Sequence, residues 1–192
     1  VSCATCHDPH NTKYEHQLRN TEDVELIDGT VITNGDTGKL CMQCHQMRRE
    51  AEAYVASNPG TFRGGHHSAQ SEMLYGTNAF TFGRTLPNST HKDVVTQACV
   101  TCHMAGPARG EPGHLELGDH SWAMNAELVD GTDTTAADNV VACLDCHDPT
   151  MTSFDDMMAR EDYDGDGEVG TAQDEVHGLL HNIALMLPPY GE

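Results

Sequence analysis

A mainly α-helical fold of few short helices and long loops, with little or no β-structure, is predicted by three observations. All eight cysteines fall in four copies of one five-residue pattern, Cys-x-x-Cys-His. Thirteen histidines accompany them, while aromatic residues make up only 5% and hydrophobic residues 38% of the 192 residues. Stretches rich in Gly, Thr, Asn and Asp separate short helix-favouring segments. A chain so poor in large apolar side chains builds a thin core by itself, and such chains need added staples to fold. The fold is therefore expected to be organised by bound groups, as a single domain over residues 1–192.

The elements follow in order. His7-Asp8-Pro9 and His147-Asp148-Pro149 each close a cysteine pattern, and the proline ends a short helix there. Residues 24–33, around Asp28-Gly29, read as a small hairpin. Residues 39–54, rich in Met, Gln, Arg, Glu and Ala, form the clearest helix, and Asn58-Pro59-Gly60 is a strong stop. Residues 68–75 read as a short helix ending at Gly76. Residues 135–147 have an amphipathic helical pattern, with Thr134 or Thr135 as N-cap. Residues 153–161 and 171–187 complete the helices. The longest apolar stretch, residues 179–187, is interrupted by His181 and Asn182, and no run has the length of a membrane span.

The four patterns are Cys3/Cys6/His7, Cys41/Cys44/His45, Cys99/Cys102/His103 and Cys143/Cys146/His147. This signature attaches c-type haem: two thiols become thioethers on the porphyrin edge and the adjacent histidine becomes the proximal iron ligand. Four disulfides would suit a secreted chain, and two zinc sites with four thiolates each would suit paired knuckles. Neither accounts for a histidine after every second cysteine. The expectation is a haem-organised multihaem cytochrome c domain with four haem c groups and no catalytic residues.

Nine histidines remain beyond the proximal four: His10, His16, His66, His67, His91, His114, His120, His177 and His181. This surplus predicts that four of them are distal ligands, giving bis-histidine iron, since neutral imidazole coordinates well. Methionine is the competing axial ligand and would raise the reduction potential. Met104, however, directly follows a proximal histidine, and Met42 and Met47 lie in the helix of the second haem. An iron held by two imidazoles has no open position, so it passes electrons and binds no substrate. His10 stands three residues past His7 with Pro9 between, and would struggle to reach the opposite face of its own haem. Either His10 or His16 is expected to ligate a different haem, including one in a neighbouring subunit.

Thirty acidic residues against ten basic ones give a formal net charge of -20. That excludes nucleic acid, whose binding rests on Lys/Arg contacts to phosphate, and disfavours anionic membrane surfaces. Such acidity suits a secreted or surface-exposed protein. Haem c is attached outside the cytoplasm in prokaryotes, so a secretion signal removed before Val1 is expected, with the periplasm as the alternative location. Asp162, Asp164 and Asp166, followed by Gly167 and Glu168, match the first two-thirds of a calcium-binding EF-hand loop. Position twelve is Gln173 where a bidentate glutamate is expected, with Asp174 and Glu175 just beyond. A modified calcium loop over residues 161–175 is predicted, with Asp162, Asp164, Asp166, Glu168 and Asp174 as its residues and a structural role. Asn88-Ser89-Thr90 is an N-glycosylation triplet, of a kind that arises often by chance.

Beyond the haem signatures, longer phrases run through the chain. They include Cys3-x-x-Cys6-His7-Asp8-Pro9-His10 with His16-Gln17-Leu18-Arg19, then Gly65-His66-His67-Ser68-Ala69-Gln70 with Met73-Leu74-Tyr75-Gly76. Further on come His91, Cys99-Val100-Thr101-Cys102-His103-Met104-Ala105, Gly118-Asp119-His120-Ser121-Trp122, Asp164-Gly165-Asp166-Gly167 and Gln173-Asp174-Glu175. In these the chain resembles the OmcE-like tetrahaem cytochromes that polymerise into extracellular filaments, known as nanowires. The resemblance implies bis-histidine haems in one unbroken chain, with one distal histidine supplied by the adjacent subunit of a homopolymer. It implies distal ligands at His91, at His120, at one of His66 or His67, and at one of His10 or His16, leaning to His16 between subunits. Extracellular electron acceptors or redox partners would be served by such a filament. The alternatives are a monomeric periplasmic electron shuttle and, further off, a multihaem reductase, which would need a five-coordinate iron.

Overall fold

The computed structural model describes residues 2–57 and 68–187. The chain divides into two compact units, Val1–Thr101 and Cys102–Glu192.

The first unit opens with helix α1 (Cys3–Cys6), a single turn. The chain then doubles back through a 3-10 turn at Glu15–Gln17. His7 and Leu18 pair across this return as an antiparallel bridge, with Asp8 N donating to Gln17 O and Arg19 N to Cys6 O. The expected hairpin follows as β1 (Val24–Glu25) and β2 (Val31–Ile32), antiparallel, with Val24 opposite Ile32. Gly29 takes a left-handed φ of 84° in its turn, and the Asp28 carboxylate accepts from Thr30 N. Val24, Leu26 and Ile32 from this hairpin pack with Met42 and Ala98 as the core of the unit, against Leu74, Tyr75 and Cys99.

Helix α2 (Lys39–Met42) and helix α3 (Ala51–Ser57) occupy what the sequence suggested was one helix over residues 39–54. The break has a cause. Buried Glu72 accepts from Met47 N, and the Asn78 side chain accepts from Ala51 N, so tertiary partners capture amides that a continuous helix would need. Helix α4 (Gln70–Tyr75) ends at Gly76 in the left-handed conformation, the expected glycine stop. Helices α5 (His91–Val94) and α6 (Cys99–His103) follow, and the boundary between the two units falls inside α6.

The second unit contains a 3-10 turn at Asp119–Ser121, closed by a bridge between Gly118 and Ala123. A hairpin follows, β3 (Asn125–Asp130) with β4 (Asp133–Asp138), paired over six positions. Helix α7 (Ala172–Met186) ends the described chain, and its extent agrees with the sequence reading of residues 171–187. Thr171 caps it, accepting from Asp174 N. Among the described residues no helix is long and apolar enough to cross a membrane.

The predicted fold class, mainly α with little or no β, is corrected by these elements. Each unit carries a two-stranded antiparallel sheet, and the molecule is a mixture of small helices and small sheets. The largest departure is at residues 135–147, where an amphipathic helix was expected. Gly131 provides the left-handed first position of a two-residue hairpin turn. Thr134 and Thr135, β-branched, pair with Val129 and Leu128, and pairing outweighs the helical pattern. Only one 3-10 turn, Phe154–Asp156, forms in the segment read as a helix over residues 153–161.

Candidate metal centres

Each Cys-x-x-Cys-His closes one helical turn. The histidine amide donates to the carbonyl of the first cysteine in three of them: His7 to Cys3 at 2.9 Å, His45 to Cys41 at 2.9 Å and His147 to Cys143 at 2.8 Å. The remaining motif, from Cys99 to His103, is itself helix α6. Residues at i, i+3 and i+4 on a helical turn share one face. Two thiols and one imidazole are thus presented together, as a porphyrin edge and its iron require. Where Asp-Pro follows the histidine, an Asx turn completes the stop: Asp8 accepts from His10 N, and Asp148 from Thr150 N.

None of the eight cysteines forms a disulfide and none is fully buried. Within each unit, thiols of different motifs act on one another. In the first unit, burial raises the Cys6 thiol pKa, and charge at Cys41 and Cys44 nearby raises it further. Cys41 is hydrogen-bonded to Cys99, which together with burial drives its pKa up. In the second unit, burial and the neighbouring Cys143 raise the Cys102 thiol. Burial likewise raises Cys143.

Two proximal rings are oriented by backbone. His7 Nδ1 lies 2.9 Å from His16 O, and His103 Nδ1 lies 2.9 Å from Trp122 O. A carbonyl accepts only, so Nδ1 carries the proton and Nε2 is the nitrogen for a metal, the usual outer arrangement of a metal-bound imidazole. Both carbonyls belong to residues with positive φ, 53° at His16 and 54° at Trp122. Non-glycine residues hold that conformation at a cost, and such strain gathers at functional sites. These donor sets fit haem c: paired thiols at the required spacing and an imidazole with its tautomer fixed.

The distal candidates lie as follows. His10 is exposed in the turn after α1. His16 is exposed, its Nε2 3.3 Å from Glu15. His91 begins α5 and its Nδ1 meets Ser89 Oγ at 2.9 Å. His120 is exposed in the Asp119–Ser121 turn, its ring 6.5 Å from that of Trp122. His66 and His67 lie outside the described residues, as does the stop at Asn58-Pro59-Gly60. Of the unassigned histidines, His114 lines an open cleft of about 400 Å³ with Pro107, Arg109, Leu115 and Asp119. His177 and His181 are exposed on α7. The Asn88 amide of the glycosylation triplet donates to Leu74 O, bracing the end of α4.

In the acidic loop, Asp162, Asp164 and Asp166 place one carboxylate oxygen each within 4.8 Å of one another. Glu168 is exposed, its amide donating to Asp166. Asp174 sits instead in the cap of α7, accepting from Thr171 N and Oγ1; the Thr171 hydroxyl and amide lower its pKa. Sequence reasoning missed the role of Glu175. Its buried carboxylate accepts from Gly170, Tyr163 and Asp164 amides, which hold its pKa below the usual range and tie the loop to α7. Its position two residues past the EF-hand's twelfth was the available signal.

Residues 1–50 match the family described as the doubled CXXCH motif. The match suggests a multihaem c-type cytochrome, and the CxxCH motifs indicate covalently bound haem c. No curated protein matches the chain, and no solved structure does.

Proposed function

We propose that this protein transfers electrons through four bis-histidine c-type haems, as the repeating subunit of an extracellular filament that delivers electrons to external acceptors. The observation that carries the reading is the hydrogen bond between Cys41 and Cys99, attachment thiols of two different motifs within the first unit. Charge at Cys41 and Cys44 is also felt at Cys6, and within the second unit charge at Cys143 is felt at Cys102. Helix α6 carries both Cys99 and Cys102. Within each unit, porphyrins attached at such thiols would have the close edges that electron hopping requires. Haem supplies the one-electron chemistry; the chain supplies attachment, axial imidazoles and spacing.

The filament reading is supported by His16. Its carbonyl accepts from proximal His7, so the Glu15–Gln17 turn lies on the proximal side of the first haem. The same residue cannot pass its imidazole round a porphyrin to the distal side. Exposed His16 is left to serve another iron, and a neighbouring copy provides one. His91, His120 and one of His66 or His67 complete the distal set. With both axial positions filled, the protein is not an enzyme. A calcium ion at Asp162, Asp164 and Asp166 steadies the loop against α7.

Electron microscopy of the native protein tests the assembly. Filaments are expected, and uniform monomers would favour the periplasmic shuttle. Intact mass tests for four haems. Carbon monoxide added to the reduced protein is expected to leave the spectrum unchanged, whereas binding would reveal an open iron and a reductase. A chelator is expected to lower the melting temperature through loss of calcium, and an unchanged melt removes the ion.

A further inference from the structure

Proximal His103 gives its Nδ1 proton to the carbonyl of Trp122, 2.9 Å away. Trp122 is placed there by a tightly fixed turn. Asp119 N donates to Met104 O, directly after the proximal histidine. Gly118 N donates to Ala123 O, Trp122 N to Gly118 O, and Ser121 Oγ to Gly118 O at 2.6 Å. Gly118 itself has φ of 62°, and a Cβ there would stand 1.9 Å from Ala105 O. The Asp119–Ser121 turn is therefore locked to the backbone that leaves the Cys99/Cys102 motif, on the proximal side of that haem.

His120 stands in the middle of this turn, two residues before the carbonyl that holds His103. Two residues extend at most roughly 7 Å. That length and one side chain cannot circle a porphyrin from the proximal to the distal face. Resting on the multihaem reading above, we infer that His120 ligates the iron of the Cys143/Cys146 haem and not that of its own neighbour His103. The companion haem is at hand within the same unit: Asn139, four residues before Cys143, donates its side-chain amide to Ala105 O at 2.6 Å and its backbone amide to Met124 O at 2.7 Å, while Cys143 N donates to Val140 O. One turn then serves two haems: its backbone orients the proximal ligand of one, and its side chain supplies the distal ligand of the next. The Glu15–Gln17 turn repeats the design, with His16 offering its carbonyl to His7 and its imidazole elsewhere.

The test uses the complete haem-loaded protein, with labelled histidine and cysteine, reduced and studied by magic-angle-spinning NMR. His120 ring signals are expected to correlate with the porphyrin carrying the Cys143 and Cys146 thioethers. Correlation with the Cys99/Cys102 porphyrin, or with either earlier one, overturns the inference. His120→Ala is expected to make one haem high-spin and able to bind carbon monoxide, with low-spin character restored by added imidazole. A fully low-spin His120→Ala protein overturns the inference while the multihaem reading stands. A wild-type protein that lacks haem or binds carbon monoxide defeats the reading itself.

Discussion

At the scale of single residues, space near the cysteine motifs is already committed. A Cβ on Gly38, just before α2, would meet Gln97 O at 2.3 Å, and backbone has little freedom to yield. Gly38→Ala is expected to destabilise the protein by about 1–3 kcal/mol, read from the midpoint of urea denaturation. Glu72 is 2% exposed and accepts from Met47 N at 2.8 Å. Glu72→Ala strands that amide, at a cost of about 1–3 kcal/mol, and the same denaturation measurement checks it. The motifs themselves were legible in the sequence because their geometry is local: five residues, one turn, one face. The partners of His7 and His103 were not, since each carbonyl returns from a loop nine and 19 residues away.

Among the secondary elements, α7 was readable because its cap, length and apolar stretch agree. Residues 39–54 were not, because the amides that break the helix are taken by Glu72 and Asn78, remote in sequence. The hairpin of β3 and β4 lost to a helical pattern on paper, since strand pairing is invisible until both strands are known. The anchoring of α7 makes a pH prediction. Glu175 has its pKa lowered by three backbone amides in the folded state. A lowered carboxylate contributes stability that is present above its unfolded value and lost on acidification. Thermal midpoints are therefore expected to fall as pH drops below about 4.5, the ordinary glutamate value. Glu175→Gln, which accepts hydrogen bonds without titrating, should weaken that dependence in melts recorded across the range.

For the molecule as a whole, the side chains leave much apolar surface to be covered. Ile27, Phe82, Leu115, Leu180 and Ile183 are all at least half exposed. The buried cores are small, as the composition foretold, and covalently attached porphyrins are the apolar mass that suits them. Replacing the motif cysteines with alanine should yield a chain without stable structure, and circular dichroism of that variant would show lost helix signal. A native spectrum would mean that protein contacts alone suffice. The acidic balance of -20 acts at this scale too. Like charges repel over about 10 Å at 0.1 M salt, so if copies assemble as proposed, their association should strengthen as ionic strength rises.

The turn between β3 and β4 is made by Gly131 and Thr132, with open space around the glycine. Exposed loop tips of this kind tolerate inserted sequence. A short affinity epitope spliced in at this tip would give a purification handle and a gold-labelling point outside every cysteine motif, letting copies of the protein be counted in micrographs without disturbing what they carry.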